Sequence, residues 1–354
     1  MNQRELFLRH VAQTSDTPLL GVDMNIVKAS GSKLTDADGK EYIDLISGIS
    51  VSNIGHCHPL VTKAISEQSQ KFMHLMVFGE FNQLPQVKYA RLLTSLLPKS
   101  LDSIYFTTGG SEAVEGAMKL AKRVTGRSEI ISFKKAYHGS TQGALSVMGD
   151  EFFKNSFRPL LPGIRILEYN KTEVLEQISS ETAAVIIEPI QGEAGIRAAD
   201  KEFLEQLRKK CDEYCTLLIF DEIQTGFGRT GTLFSFEQYQ VIPDVLIIAK
   251  GMGGGLPIGA FISSQRIMNS LTNNPVLGHI NTFGGNAVCV AAAQATLEVI
   301  IKEDLVSRAK KIETIIRQNL NHKRIKELRL HGALGAIDFG DEELNFRIIR
   351  ACIE

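Results

Sequence analysis

The residues with the clearest chemical potential stand at the end of an apolar run, Val245 to Ala249, which is followed by Lys250 and a cluster of glycines. An apolar run bounded by turn-forming glycines predicts a strand that is buried on both faces. Lys250 would then lie at the carboxyl end of that strand, where open α/β sheets build their ligand sites. A lysine amine that is partly removed from water loses its proton more easily and can form a Schiff base with a carbonyl. The alternative is an ordinary strand-end lysine, because the chain has 39 lysines and arginines.

A lysine that binds the carbonyl of pyridoxal phosphate also needs a carboxylate partner for the ring nitrogen of that cofactor. Asp221 is a candidate, because it ends the apolar run Leu217 to Phe220 and precedes Lys250 by enough residues for a crossover and a return strand. Both side chains would then lie at the same edge of the sheet. Asp221 could instead cap a helix. Gln224, a little further on, could donate to the phenolic oxygen of the cofactor or simply face solvent.

A glycine turn at Thr108 to Ser111 offers a site for the phosphate. It joins a predicted strand at Ile104 to Phe106 to a predicted helix at Glu112 to Val124, so free backbone amides and the positive end of the helix dipole converge on it. The hydroxyls of Thr108 and Ser111 add further donors. The turn could also serve chain geometry alone, since glycines often precede helices for steric reasons.

Tyr137, followed by His138 and Gly139, comes after a predicted strand at Ile130 to Phe133 and so falls at the same sheet edge. An aromatic ring there can stack on a planar heterocycle, or it can simply pack against the core. The lysine, the aspartate, the glycine turn and the tyrosine all fall at the carboxyl ends of predicted strands. This coincidence favours a cofactor site over four unrelated structural residues.

The middle of the chain predicts the sheet that would position these residues. The apolar runs already named, together with Ile164 to Leu167 and Ala183 to Ile187, alternate with helical segments such as Lys201 to Tyr214. Strands separated by helices predict an α/β fold with a mainly parallel sheet and right-handed crossovers.

The two ends of the chain have a different pattern. Residues 1–50 are polar and turn-rich, and Asp36 to Gly39 with Tyr42 to Ile46 predict a small hairpin. An alanine-rich helix at Ala287 to Ile301 and a charged helix from Leu305 to about Asn321 lead away from the sheet. We therefore expect residues 51–285 to form the large domain, and residues 1–50 and 286–354 to form a smaller one. The chain stops within an uncapped amphipathic segment, so we expect C-terminal residues to be missing.

Composition limits the partners and the compartment. A net charge of −1 offers no bulk attraction for nucleic acid or a membrane surface. No uncharged apolar stretch approaches membrane-spanning length, and the N-terminus lacks the apolar core of a signal peptide, so a cytoplasmic protein is expected. Five cysteines without a CxxC pair are expected to be reduced thiols. His56 and His58 flank Cys57, but neighbouring side chains of an extended segment point to opposite faces, so we expect no metal site.

Taken in order, the motifs resemble those of the class III aminotransferases, the omega-amino-acid type that includes acetylornithine- and ornithine-like enzymes. The matching segments are Gly48 to Pro59, Thr108 to Ala113, Tyr137 to Gly139, Glu188 to Ala194, Asp221 to Gly231, Ala249 to Gly251 and Asn281 to Gly285. The resemblance runs from about residue 20 to the end of the chain. It implies a fold type I enzyme, in which the large domain has a mainly parallel seven-stranded sheet with helices on both faces. The smaller α+β domain is formed by the N- and C-terminal segments.

The resemblance also implies roles for individual residues. Lys250 would hold pyridoxal 5'-phosphate and carry protons during the reaction, and Asp221 would pair with the ring nitrogen. The other implied cofactor contacts are Gln224 at the phenolic oxygen, Gly109, Gly110 and Ser111 at the phosphate, Tyr137 in a stack, and His138 and Glu188 beside them. Thr282 matches a threonine that reaches the phosphate of the neighbouring subunit, which implies a homodimer with shared active sites.

The resemblance also indicates three residues of the substrate pocket, two acids and a serine. Glu188 and Glu193 resemble the paired acids beside the pocket of the family, where the second acid often pairs with an arginine that otherwise binds a substrate carboxylate. That arginine usually lies near the C-terminus, and we expect it beyond residue 354. Ornithine-type members have an arginine directly after the Tyr-His-Gly motif, whereas this chain has Ser140. A serine cannot replace a bidentate cation, which puts an α-carboxylate held in that manner in doubt, although the Gly-Glu-Ala motif resembles acetylornithine-type enzymes.

The expected activity is a ping-pong transamination that moves an amino group from an amino acid or omega-amine to a 2-oxo acid such as 2-oxoglutarate or pyruvate. An aminomutase or decarboxylase with the same residues is the alternative within this fold. A non-catalytic binding protein is the alternative from another class. Amino transfer to an added 2-oxo acid distinguishes a transaminase from an aminomutase or decarboxylase. Binding of the cofactor distinguishes an enzyme from a non-catalytic binding protein.

Overall fold

A seven-stranded sheet forms the centre of the computed structural model, which describes residues 3–12 and 24–353. In order across the sheet, its strands are Ser103–Thr107, Gly259–Ser263, Val245–Ile248, Leu217–Asp221, Thr182–Ile187, Glu129–Phe133 and Ile164–Leu167. The last five pair in parallel. We call Ser103–Thr107 the cup strand, Val245–Ile248 the lysine strand and Leu217–Asp221 the aspartate strand. The predicted α/β fold with a mainly parallel sheet is confirmed.

One strand, Gly259–Ser263, departs from the parallel pattern. It lies between the cup strand and the lysine strand and runs antiparallel to both. We call it the antiparallel strand. The apolar runs did not predict it, because it follows the lysine strand through a glycine-rich connection and not through a long helix.

Helices cover both faces of the sheet, because the side chains of each buried strand alternate between two apolar clusters. Helix Gly110–Thr125 packs on one face, in a cluster with Ile219 and Ile247. The other face, which includes Phe220 and Ile248, is covered by helices Leu84–Thr94, Lys201–Glu213 and Ala287–Lys302. This arrangement confirms the predicted layering.

The remaining elements lie towards the chain ends and in the connections. The first part of the chain has helix Gln3–His10, a three-stranded antiparallel sheet (Ile26–Ser30, Lys33–Asp36 and Glu41–Ile43), one turn at Ser47–Ser50 and helix Pro59–Ser69. The last part has helix Leu305–Asn319, a hairpin of Glu327–His331 and Leu334–Asp338, and helix Glu342–Ile353. The short elements between them are strands Ile190–Gln191 and Arg197–Ala198, helices Gln142–Ser146, Phe236–Tyr239 and Gln265–Met268, and 3-10 turns at Glu151–Phe153, Asn155–Phe157, Thr172–Gln177, Lys250–Gly253 and Asn269–Leu271.

The predicted N-terminal hairpin is present as the second and third strands of the small sheet. Residues 1–2 and 13–23 of the predicted N-terminal segment lie outside the described residues. The division into domains at residues 51 and 286 stays a prediction.

The predicted site segments all leave the sheet at one edge. The glycine turn follows the cup strand, Lys250 follows the lysine strand, and Asp221 ends the aspartate strand. Glu188 and Tyr137 follow the next two strands across the sheet. Because parallel strands end at the same edge, residues that are distant in sequence are brought together there.

The histidines near the N-terminus have structural partners. His56 Nε2 lies 2.7 Å from Asp44 Oδ2, and His58 Nε2 lies 3.5 Å from Glu303 Oε1. Across residues 3–12 and 24–353, no group of three or more His, Cys, Asp or Glu side chains is arranged to hold a metal ion. Within the same ranges, no helix has both the length and the apolar character needed to cross a membrane.

Candidate active site

A cavity of about 400 Å³ opens at this sheet edge. Its volume falls within the range of small-molecule sites in proteins. The predicted cofactor contacts in its wall are Gly109, Gly110, Ser111, Tyr137, His138, Glu188, Asp221, Gln224 and Lys250.

Lys250 begins the 3-10 turn that follows the lysine strand. Its backbone has a φ of 45°, in the left-handed region, so the chain turns sharply at the strand end. Neither a hydrogen bond nor an ion pair to its amine occurs within the described part of the chain. Burial lowers the pKa of Lys250, and the opposing charges of Glu193 and Asp221 do not cancel this effect. The neutral amine, which is the nucleophilic form, is therefore favoured relative to an exposed lysine.

Asp221 and His138 form a buried pair. The His138 Nδ1 lies 2.7 Å from Asp221 Oδ2, and the exposed fractions of the two residues are 1% and 3%. Asp221 Oδ1 also accepts a hydrogen bond from the backbone amide of Ile223 at 3.0 Å. Burial alone would lower the pKa of His138, but its hydrogen bond to Asp221 and the charge of that carboxylate raise it above its usual value. The contact with Asp221 therefore favours the protonated imidazole of His138.

Glu188 lies beside this pair, directly after the Thr182–Ile187 strand. Its carboxylate accepts hydrogen bonds from the backbone amides of Tyr137 and Gly192, at 3.1 and 3.2 Å. Burial raises the pKa of Glu188 to about 7, although the charge of His138 acts in the opposite direction. Glu188 therefore ties the Tyr137 segment to the sheet edge and titrates near neutral pH.

The glycine turn leaves backbone donors free for an anion. Gly109 is the N-cap of helix Gly110–Thr125, and no side chain caps it. The first bond within the helix runs from the Ala113 amide to the Gly109 carbonyl at 3.1 Å. The amides of Gly110, Ser111 and Glu112 belong to the first helical turn, where the helix supplies no acceptors. Together with the helix dipole they suit a phosphate.

Thr108 does not add a free hydroxyl to this turn. Its amide and its hydroxyl both donate to the Glu112 carboxylate, at 2.7 and 2.6 Å. The expectation that the Thr108 hydroxyl faces the phosphate is therefore wrong for this conformation, because the acid one helical turn further on takes both donors. Ser111 remains as the hydroxyl of the turn.

Helix Gly110–Thr125 also holds the segment that carries Tyr137 and His138. Gly139 has a φ of 129°, and a Cβ atom there would lie 2.2 Å from the Ser111 Oγ, so only glycine allows this close approach. The Ser111 Oγ accepts a hydrogen bond from the Ser140 amide at 3.3 Å. The Glu115 carboxylate accepts another from the Thr141 hydroxyl at 2.7 Å. The phosphate turn and the Tyr137 segment therefore form one connected unit.

Three predicted residues lie outside the cavity wall. Glu193 is exposed, although its charge acts on Lys250. Ser140 is also exposed, and its Oγ lies 3.3 Å from the Tyr137 hydroxyl. Thr282 is exposed on a separate segment, between the sheet and helix Ala287–Lys302. The roles predicted for these three residues stay predictions.

Sequence reasoning missed most of the apolar part of the wall, which consists of Val51, Ile223, Leu256, Pro257 and Ile258. Ile223 stands between Asp221 and Gln224, so the motif itself could have indicated it. The others come from loops without a periodic pattern, and only the folded chain brings them to the cavity.

The raised pKa of Glu188 leads to a prediction about stability. Between its ordinary value of 4.5 and about 7, the folded protein holds a proton that the unfolded chain releases. The contribution of Glu188 to stability is therefore complete at low pH and is lost as the pH rises through this range. In the cofactor-free protein, this loss should reach about 3 kcal/mol, and Glu188→Gln should remove it. The measurement is the free energy of unfolding by urea at several pH values from 4 to 8.

Neighbouring groups define the controls for this experiment. His138 and Asp221 face Glu188, and Glu222, whose pKa burial also raises to about 7, titrates in both proteins. Glu193→Gln, which changes an exposed acid, should follow the wild-type curve. A Glu188→Gln protein with the same pH dependence as the wild type would contradict the assignment.

Comparison with known proteins agrees with the geometry. Residues 14–353 match the family model described as Aminotransferase class-III. Acetylornithine aminotransferase from Methanopyrus kandleri is 38% identical over 349 residues, which cover 97% of this chain and 87% of that protein.

Solved structures of transaminases have the same fold. An (S)-enantioselective omega-transaminase from Thermomicrobium roseum superposes with a TM-score of 0.86 at 31% identity, covering 94% of this chain and 83% of that one. Ornithine aminotransferase from Toxoplasma gondii ME49 superposes with a TM-score of 0.87 at 29% identity, covering 96% and 82%.

Proposed function

Because this chain belongs to the class III aminotransferases, which carry out pyridoxal-phosphate-dependent transamination, we propose that the cavity at the sheet edge is its active site and that Lys250 and Asp221 carry the reaction. The observation that supports this proposal most directly is that one cavity is lined by a partly buried lysine without a hydrogen bond in the described part of the chain, a buried and hydrogen-bonded aspartate, and a glycine turn.

The residues present fit pyridoxal phosphate. The Lys250 amine, the Asp221 carboxylate and a helix N-terminus without a side-chain cap suit the carbonyl, the ring nitrogen and the phosphate of the cofactor, in that order. When bound, the cofactor supplies an electron sink for the electron pair released at the substrate carbon. All other steps fall to the protein.

Lys250 has two tasks in this proposal. Its neutral amine would hold the cofactor at the carbonyl carbon, and when released it would serve as the base that moves a proton at the donor carbon. The lowered pKa of Lys250 suits both tasks, because each begins from the unprotonated form.

Asp221 and His138 act together in the wall of the cavity. Asp221 would pair with the ring nitrogen of the cofactor, and His138 orients that carboxylate through the 2.7 Å contact. The His138 Nε2 is buried and has no hydrogen-bond partner within the described residues. The amides of Gly110 and Ser111 would bind the phosphate.

The substrates are an amino donor and a 2-oxo acid. The relatives named acetylornithine aminotransferase make N-acetylornithine the first donor to test. Ser140 predicts that an α-carboxylate is not held by the residue that follows Gly139.

A panel of donors tests the proposal. N-acetylornithine, ornithine, 4-aminobutyrate and diamines would each be offered with 2-oxoglutarate or pyruvate, and the transferred amino group would be measured in the product. We expect a visible absorbance from the bound cofactor that responds to the productive donors. A protein that binds the cofactor but transfers no amino group to any 2-oxo acid would contradict the proposal.

We also infer that the protein is a homodimer in which Thr282 reaches the cavity of the partner subunit. Four exposed apolar side chains line one cavity near Thr282, and we call them the apolar patch: Val87, Val276, Leu277 and Ile280. Exposed apolar clusters of this kind are typical of protein interfaces. Thr282 is exposed and does not line the cavity of its own chain, as expected of a residue that serves a partner.

Val276→Asp combined with Ile280→Asp should dissociate this dimer, because it places two charges in the apolar patch. We expect the mass measured by light scattering to halve and the turnover to fall in step with the dimer fraction. Phe152→Asp is the control, because Phe152 is 83% exposed on a different loop. A double variant that stays dimeric, or that is fully active as a monomer, would contradict the inference.

A further inference from the structure

Glu222 is a third buried carboxylate at this sheet edge, after Asp221 and Glu188, and unlike them it does not line the cavity. It follows Asp221 directly, so the two side chains leave the chain on opposite sides. The Glu222 side chain is fully buried and accepts three hydrogen bonds. They come from the amides of Ser235 and Phe236, at 2.6 and 2.8 Å, and from the Thr225 hydroxyl at 3.0 Å.

Glu222 belongs to the turn 221–226, which supplies part of the cavity wall. The Glu222 amide donates to the Ile247 carbonyl of the lysine strand at 2.9 Å, and its carbonyl accepts from the Gly226 amide at 3.0 Å. Between these two anchors lie Ile223 and Gln224, which line the cavity. The Ile223 amide in turn donates to Asp221 Oδ1. The position of the Asp221 carboxylate therefore depends on a turn that contains Glu222 and is anchored by it.

The segment that donates to the Glu222 carboxylate is fixed by the core. Ser235 and Phe236 are buried, and Phe236 belongs to the main apolar core. A carboxylate in such surroundings is costly unless every oxygen is well bonded, and apolar side chains would fill the space at lower cost. Stability alone therefore gives little reason for an acid at this place.

We propose that Glu222 is a positioning residue for Asp221: it fastens the turn 221–226 to the Ser235–Phe236 segment and so sets the direction of the Asp221 carboxylate. This inference rests on the proposed role of Asp221 at the ring nitrogen of the cofactor.

The test measures binding of pyridoxamine 5'-phosphate to the cofactor-free protein, because this ligand has the same ring nitrogen but cannot bond covalently to Lys250. Glu222→Gln places an amide donor among three donors and should loosen the turn. We expect it to raise the Kd on the order of tenfold and to lower kcat by a similar factor, with the KM for the 2-oxo acid little changed. Thr225→Val removes only the hydroxyl link and should shift the same quantities in the same direction by a smaller factor.

Glu237→Gln is the matched control. Glu237, in helix Phe236–Tyr239, accepts a hydrogen bond from the Phe234 amide at 2.9 Å, but it is exposed and has no hydrogen bond to the turn within the described residues. It should leave both the Kd and kcat unchanged. If Glu222→Gln does not fold, as judged by circular dichroism, Thr225→Val decides the question.

The proposal is overturned if a folded Glu222→Gln or Thr225→Val protein binds the ligand with wild-type affinity, or if Glu237→Gln loses as much affinity. Asp221→Asn separates this failure from failure of the proposed function. If Asp221→Asn weakens ligand binding and the Glu222 and Thr225 variants do not, only the positioning role is wrong. If Asp221→Asn also leaves the Kd unchanged, the role of Asp221 itself is wrong.

Discussion

Replacement of Lys250 with alanine is expected to lower turnover by at least about 10⁴-fold. General acid–base catalysis by one side chain contributes about 10²- to 10⁴-fold, and this variant loses the covalent anchor for the cofactor as well. The visible absorbance of the bound cofactor should change at the same time, because the bond between the amine and the carbonyl can no longer form. The measurements are steady-state turnover with the best donor and the absorbance spectrum of the purified protein.

Two further lysine variants make this experiment specific. Lys250→Arg keeps a positive charge but remains protonated, so it should be almost as inactive as the alanine variant. Lys201→Ala changes an exposed lysine that lies 3.8 Å from Glu205 and should retain full turnover. A Lys250→Ala protein that is folded and works within tenfold of the wild-type rate would refute the assignment.

Asp221→Asn is expected to lower kcat by about 100-fold. An amide of the same shape still fits, but it cannot hold a proton on the ring nitrogen, and a hydrogen bond to a charged group is worth up to about 3 kcal/mol. That energy corresponds to about two powers of ten in rate. Turnover of the cofactor-saturated protein is the first measurement.

His138 supplies a second measurement for Asp221→Asn. Because Asp221 raises the pKa of His138 against the effect of burial, loss of the charge should lower that pKa. Nuclear magnetic resonance of the imidazole in the cofactor-free protein reports it directly. Asp212→Asn, which alters an exposed aspartate paired with Arg208, is the control and should change neither quantity. An unchanged His138 pKa in Asp221→Asn would show that the contact does not govern the imidazole.

Buried parallel strands explain why so much of this fold could be predicted from the sequence. Strands such as Val245–Ile248 and Leu217–Asp221 are covered on both faces. Their sequences are therefore continuous apolar runs up to the polar residue at the strand end. The polar residue that ends such a run stands out, as Lys250 and Asp221 do. The same apolar runs therefore predicted both the strands of the sheet and the candidate cofactor residues at their ends.

Contacts between distant segments could not be predicted in this way. The pairing of His138 with Asp221 and the bonds from Ser235 and Phe236 to Glu222 join residues whose separation carries no periodic pattern. The antiparallel strand was missed for a related reason: its direction depends on which neighbours it meets after folding, and its local sequence does not determine them. The substrate roles of the exposed residues Ser140 and Glu193 stay predictions.

The place of the antiparallel strand has a consequence for biosynthesis. The cup strand lies at the edge of the sheet, and its partner residues, Thr107 and Gly259 among them, are far apart in the chain. A nascent chain that has emerged only as far as Lys250 already contains the glycine turn, Asp221 and the lysine, but the strand that leads into the turn still lacks its neighbour. Long-range pairing of this kind is formed late, because loop closure must come first. We therefore expect the cofactor to bind only after Ser263 has left the ribosome. Pyridoxal phosphate, a derivative of vitamin B6, can then stabilise the finished sheet, but it cannot guide the folding of the strands that are synthesised first.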